Sequence, residues 1–464
     1  MQRYGKSQTI QNKNGIFSIL YALFFVTLPT DSNNEADKAP YQLYFELNIG
    51  EIHMNEEISK PNGMNSEELS QYVSDAVELL KRLIATPSIS RNEKEAADIM
   101  EATIRSYGFT PQREANNVWI IDPHYDAHKP TLLLNAHIDT VKPVDSWKRD
   151  PFHPGIEIQK WEDKDGNNSK EIENKDGNNS KEIENKDGDK RDEIKAQDGD
   201  KTEEILYGLG SNDCGGGLCS LLQMFRLLTS KPQSYNLIYL ASAEEEVSGK
   251  DGISRALPLL PHIDLAVVGE PTGMNPAVAE KGLMVLDVIA HGKSGHAARN
   301  EGVNAIYEAL DDMRWIRDYK FEKVSEFLGP TKMTLTVVNA GTQHNVIPDK
   351  CTMLVDIRTN EFYDNEEVYH FICQHLKSEC KAHSFRLKSS RIDPNHPLIK
   401  KCVAMGMKPF GSPTLSDQAL MSFPSFKLGP GESSRSHSAD EFIKISEIRD
   451  AIAKYKELLD GAEI

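Results

Sequence analysis

Apolar residues recur at intervals of three and four through Leu69, Val73, Ala76, Val77, Leu80, Leu83 and Ile84, which predicts an amphipathic helix capped by Ser66 and stopped by Pro87. A second helix is expected from Asn92 to Tyr107, ending at Gly108. The period then changes. Val118 to Ile121 and Thr131 to Ala136 read as strands, and Leu132, Leu133 and Leu134 as a strand buried on both faces. Farther on, a helix over Cys219 to Leu228 precedes a strand from Tyr235 to Ala243, and Asp264 to Pro271 forms another strand. Helices alternating with buried strands predict an α/β domain.

The rhythm shifts again at about Glu280. Strand 281–292, helix 304–316, strand 333–340, strand 352–359, helix 365–376 and strand 384–389 read as βαββαβ, enough for an independent ferredoxin-like domain. After it the chain returns to a helix from His396 to Met405, a strand from Ser425 to Leu428 and a helix from Ile445 to Leu459. A smaller domain, 279–387, is thus inserted into a larger one formed by 64–278 and 388–464.

Length and charge refine this division. At 464 residues the chain exceeds a single small core, and its net charge of −18 argues against nucleic acid or an anionic membrane as partner. Trp161 to Glu204 carries sixteen acidic and nine basic residues, so much of that acidity belongs to one segment. The segment (161–204) repeats with a period of eleven: DKDGNNSKEIE, NKDGNNSKEIE and a decayed NKDGDKRDEIK. With almost no apolar residues it cannot offset its ordering entropy, and it reads as a low-complexity excursion that projects away from the site. Its D-x-D-G-N spacing is that of calcium loops, but Asn168 stands where the turn glycine belongs.

Six scattered cysteines suit free thiols in a reducing, cytoplasmic setting. Gly15 to Thr30 is apolar and follows Arg3, Lys6 and Lys13, the outline of an export signal, yet no small-x-small cleavage site follows. Two readings of residues 1–63 stand: a working signal, or a dispensable extension with Met54 or Met64 as the start.

Polar residues gather where apolar runs end. His137 and Asp139 follow the 131–136 strand, Glu244, Glu245 and Glu246 follow the 235–243 strand, and Glu270 closes the next; Asp213 and His437 stand in glycine- and serine-rich turns. Ligands collect at the carboxyl ends of strands in α/β sheets. Three adjacent carboxylates repel one another unless a cation neutralises them. Two imidazoles with several carboxylates suit zinc or a similar divalent ion, in number enough for two.

The ordered motifs NAHIDTV, GSNDCGGG, AEEEVSGKDG, VVGEP, GKSGHAA, TQHNVIPD, DIRTNE and RSHSADE resemble the M20 family of dinuclear metallohydrolases, most closely its acetylornithine deacetylase and succinyl-diaminopimelate desuccinylase branch. The resemblance implies a zinc-peptidase-like catalytic domain with an inserted lid and dimerisation domain. It implies two Zn²⁺, with Co²⁺ as a substitute: Asp213 bridging, His137 and Glu270 completing one shell, Glu246 and His437 the other. Asp139 would orient His137, Glu245 would serve as general base and acid, and His296 would cross a homodimer interface to stabilise the oxyanion. Asn345, Arg358 and Gly429 would contact substrate. Gly215 departs from the family, which often has lysine there. The expected activity is hydrolysis of an N-acyl amino acid, N-acetylornithine or N-succinylornithine, with a dipeptidase or carboxypeptidase and succinyl-diaminopimelate desuccinylase as alternatives. Asp417 is the candidate carboxylate for the ornithine amine.

Overall fold

The computed structural model describes residues 6–12, 15–21, 65–161, 173–174, 201–299 and 301–464. Lys6–Asn12 and Gly15–Tyr21 pair as an antiparallel hairpin within a separate unit. The rest of the N-terminal extension, including most of the export-signal outline, and nearly all of the repeats lie outside the described residues.

In the larger unit the first helix, Ser66–Ile84, is capped one residue earlier than expected: the Asn65 side chain accepts hydrogen bonds from the backbone N–H of Glu67 and Glu68. Asn65 and Ser66 are both good caps, so sequence alone could not choose between them. The second helix, Lys94–Ser106, is shorter at both ends than 92–107.

The main sheet runs in the order Ser390–Arg391, Ala277–Glu280, Ser425–Lys427, Leu265–Val268, Thr131–His137, Asn236–Ser242, Asn117–Ile121, Gln112–Glu114. Its four central strands, from 425–427 to 236–242, are mutually parallel. Leu132 and Leu134 pack into the core that holds the first, Gly216–Leu228 and terminal Ile445–Leu459 helices; Leu133 packs into a smaller cluster on the opposite face with Ile238, Leu240 and Ala266. Burial on both faces is why this strand reads as a continuous leucine run.

A second, antiparallel sheet was not expected. Gly155–Trp161 pairs with Lys201–Tyr207, which pairs with Phe442–Lys444, and on its other edge Gly155–Trp161 pairs with Glu173–Asn174 of the repeat segment, giving four strands. Trp161 and Lys201 are register partners, so the repeat segment departs from and rejoins adjacent positions of one hairpin.

The inserted domain has its own core, built on Met284, Leu286, Val288, Met353, Val355 and Ile357. Its sheet order is 332–340, 350–358, 284–291, 379–382, all antiparallel. The last strand is Glu379–Ala382 rather than 384–389. Its alternation places Cys380 and Ala382 on the lid core, whereas 384–389 carries the chain back: Leu387 accepts from the Leu283 N–H at the crossover.

Candidate metal centre

The parallel strands all deliver their carboxyl ends to one edge, and His137, Glu245, Glu246 and Glu270 sit at or just beyond three of those ends. His137 is buried. Its Nε2 lies 3.3 Å from Asp213 Oδ1, 3.8 Å from Glu270 Oε1 and 3.9 Å from Glu245 Oε2. On the other side, His437 Nε2 is 2.9 Å from Glu246 Oε2 and 3.6 Å from Asp213 Oδ2. Asp213 therefore presents one oxygen to each histidine, the placement a bridging carboxylate requires.

Burial pushes the Glu245 carboxyl well above the ordinary carboxylate range, with His137 opposing only in part. Glu270 is pushed by burial to about 8. Asp213 moves the other way: burial disfavours its charge, but the hydrogen bond and charge of His137 outweigh burial. His437 is raised to about 9, chiefly by its hydrogen bond with Glu246. Carboxyl groups crowded and desolvated to this degree fit divalent cations, whose charge would neutralise them. Asp213, Glu246 and His437 each present a ligand atom within 4.8 Å of one another, and so do His137, Glu245 and Glu246. Cys214 also approaches, but burial pushes its thiol to about 12, and its sulfur accepts the backbone N–H of His137. A thiol so protonated is a poor metal ligand at neutral pH.

The supporting shell assigns more to Asp139 than orienting His137. His137 Nδ1 sits 2.8 Å from the Asp139 backbone carbonyl and 3.6 Å from its carboxylate. The carboxylate itself accepts the N–H groups of Glu245 (3.0 Å) and Glu246 (3.2 Å) and the Ser90 hydroxyl (2.7 Å). Glu441 does the same for the other loop, accepting from the N–H groups of Gly210, Asn212 and Asp213. Asn212 exchanges two hydrogen bonds with the Glu432 backbone and so ties that turn to the segment bearing His437. Glu441 and Ser90 were missed because neither follows an apolar run; for Glu441 the one available signal was its place in RSHSADE.

Beside the cluster opens a cavity of about 290 Å³, lined by Asp213, Glu245, Glu246, Glu270 and His437 on one side and by Phe410, Ser412, Pro413, Thr414 and Leu415 on the other.

Residues 278–384 match the Peptidase dimerisation domain family. The chain is 26% identical over 407 residues to an acetylornithine deacetylase of Proteus mirabilis, covering 80% of this chain and 92% of that protein. It is 24% identical over 334 residues to a succinyl-diaminopimelate desuccinylase of Wolbachia pipientis, covering 68% and 73%. The fold matches a dinuclear metal-binding M20 peptidase of Bacillus subtilis (TM-score 0.57, 15% identity, 84% of this chain and 98% of that one). The chain thus resembles M20 peptidases in its dimerisation-domain match, its curated relatives and its fold. It is a hydrolytic enzyme that acts on amide bonds. A tripeptidase of Staphylococcus aureus shares the fold at TM-score 0.58 and 18% identity, over 84% and 98%.

Not every residue expected from the M20 resemblance lies at the cluster. Asp417 is buried, its Oδ2 accepts the Ser242 hydroxyl at 2.5 Å, and it is not among the residues that line the cavity, although its charge acts on Glu245. His296 and Asn345 are exposed and close together in the inserted domain, where the 295–296 and 346–347 segments pair and the Asn345 carbonyl accepts the Ala297 N–H. Arg358 is paired with Asp356 at 2.9 Å. Gly429 packs so tightly on Gly269 and Glu270 that a Cβ would strike both carbonyl oxygens. It therefore fixes the backbone that carries Glu270.

Proposed function

We propose that this enzyme is a dinuclear zinc amidohydrolase of the M20 family that removes the acyl group from an N-acyl amino acid, N-acetylornithine or N-succinylornithine, releasing ornithine for arginine synthesis. The observation that carries the reading is a fourth acidic side chain, Glu245, beside a complete set of ligands. Asp213, His137 and Glu270 would hold one ion and Asp213, Glu246 and His437 the other. Zinc at these positions would supply Lewis acidity toward the amide carbonyl and the attacking water. Glu245 takes a proton from that water and returns it to the leaving nitrogen, a task suited to a carboxyl whose affinity for protons burial has raised. Asp139 holds the turn on which Glu245 stands. The choice of acylated ornithine leans on the similarity to acetylornithine deacetylase.

The same reading divides the chain into a catalytic domain, 64–278 with 388–464, and a lid and dimerisation domain, 279–387. In a homodimer the exposed His296 would reach the partner's site and stabilise the oxyanion, while Asn345, Arg358 and Gly429 would contact substrate. The dimer is supported by the dimerisation-domain match and by exposed Tyr307, Leu310, Val337 and Val338 on one helix and one edge strand of that domain. A cytoplasmic setting is inferred from six cysteines that all stand unpaired. No helix among the described residues is long and apolar enough to cross a membrane.

The test is metal content together with hydrolysis of N-acetylornithine, N-succinylornithine and a free dipeptide. Two equivalents of zinc and turnover of an acylated ornithine are expected. Glu245→Gln should lower kcat by about 10²–10⁴-fold at unchanged metal content. Turnover of the dipeptide alone would replace the deacylase reading with a peptidase.

A further inference from the structure

The cavity wall opposite the metal ligands hangs from one buried ion pair. Lys427 Nζ lies 3.0 Å from Glu280 Oε2, with side chains 3% and 0% exposed. Such a pair is a weak source of stability, because desolvation offsets its attraction, so its presence calls for another explanation. Its remaining hydrogen bonds all run to the wall. Lys427 donates to the Thr414 carbonyl (3.1 Å) and to the hydroxyls of Ser412 (3.4 Å) and Thr414 (3.5 Å). Glu280 accepts from the Ser416 hydroxyl (2.8 Å) and, more weakly, from its N–H (3.4 Å). An ammonium has three protons, and these partners occupy all three. Lys427 lines the cavity but has no donor left for a substrate anion.

Glu280 is also the last residue of its strand before the chain crosses into the inserted domain. Its carbonyl accepts the Ser389 hydroxyl of the returning segment, and the next residue, Lys281, donates its N–H to the Ser412 carbonyl. The pair thus joins the wall, the sheet and the crossover at one point.

We infer that Lys427 and Glu280 are a positioning pair that fixes the 412–416 wall of the cavity and, through it, how tightly substrate is held. The effect on substrate rests on the hydrolase reading above; the hold on the wall does not. Kinetics with N-acetylornithine and hydrogen exchange at the Thr414 and Ser416 amides test it, on wild type, Lys427→Met and Lys427→Met/Glu280→Met. The double variant removes both charges together, so it leaves no buried charge unpaired if the single variant misfolds. Both amides should exchange about tenfold faster in the double variant, with the central strand at 131–137 unchanged. KM should rise about tenfold while kcat stays within about threefold. Unchanged exchange at Thr414 and Ser416 in a folded double variant would overturn the pair's hold on the wall, and faster exchange with wild-type KM would overturn its link to substrate. A wild type that leaves N-acetylornithine intact would instead count against the hydrolase reading, while the exchange result still decides the pair's hold on the wall.

Discussion

Asp417 and Glu245 are both acidic side chains that burial has made reluctant to ionise, yet only one of them faces the cavity. Asp417 is pushed to about 7, chiefly by desolvation, although the Ser242 hydroxyl partly offsets this. In the unfolded chain the same group ionises near the ordinary value of about 4. Between those limits the folded protein binds a proton that the unfolded chain has released, so this residue removes stability as pH rises from about 4 to about 7. Asp417→Asn should therefore match wild type near pH 4 and exceed it by roughly 1–3 kcal/mol at pH 8. Urea midpoints of metal-free protein at the two pH values check this; a constant difference would show that the carboxyl does not titrate in that window. The residue was misread because LSDQ shows a charge but not its surroundings. Its partner, Ser242, lies 175 positions away and ends another strand.

The apolar runs were legible because a strand buried on both faces must be apolar throughout, and three of the expected ligands, His137, Glu246 and Glu270, stood out because they follow such runs, whereas Asp213 and His437 stand in glycine- and serine-rich turns. What pattern cannot show is how a loop is held. The turn bearing Glu245 and Glu246 hangs by two N–H groups from Asp139, a carboxylate on a different segment. Asp139→Asn replaces one accepting oxygen with a donor that must face an N–H or the Ser90 hydroxyl. Metal affinity should fall about 10–100-fold, the usual cost of losing an outer partner, and competition with a chelator measures it. The 155–161, 201–207 and 442–444 sheet escaped notice for a related reason. Its 155–161 and 201–207 strands are separated by the repeats, and its last strand arrives more than 230 residues later, so no local signal joins them. The strand at 379–382 was displaced by the return segment, which is just as apolar but pairs with the crossover.

Because Trp161 and Lys201 are register partners, the segment between them can be replaced by an Asn-Gly turn without moving either strand. The shortened protein should keep wild-type kcat/KM and gain stability on the order of 2 kcal/mol from the shorter loop. A large loss of activity would show that the repeats serve the site. The proposed dimer makes a separate demand on the whole molecule. Val338 is 46% and Tyr307 69% exposed. Val338→Asp should yield monomers by sedimentation and, if His296 acts across the interface, should lower kcat without changing metal content.

The five expected metal ligands, at 137, 213, 246, 270 and 437, all come from separate segments, and the inserted domain lies between the fourth and the last. On a ribosome they emerge in that order. The proposed first position has His137, Asp213 and Glu270 in the chain before the inserted domain is made, but the proposed second position lacks its histidine until all of 284–382 has been translated. If both ions bind as proposed, the pair can therefore be completed only after the inserted domain has been made.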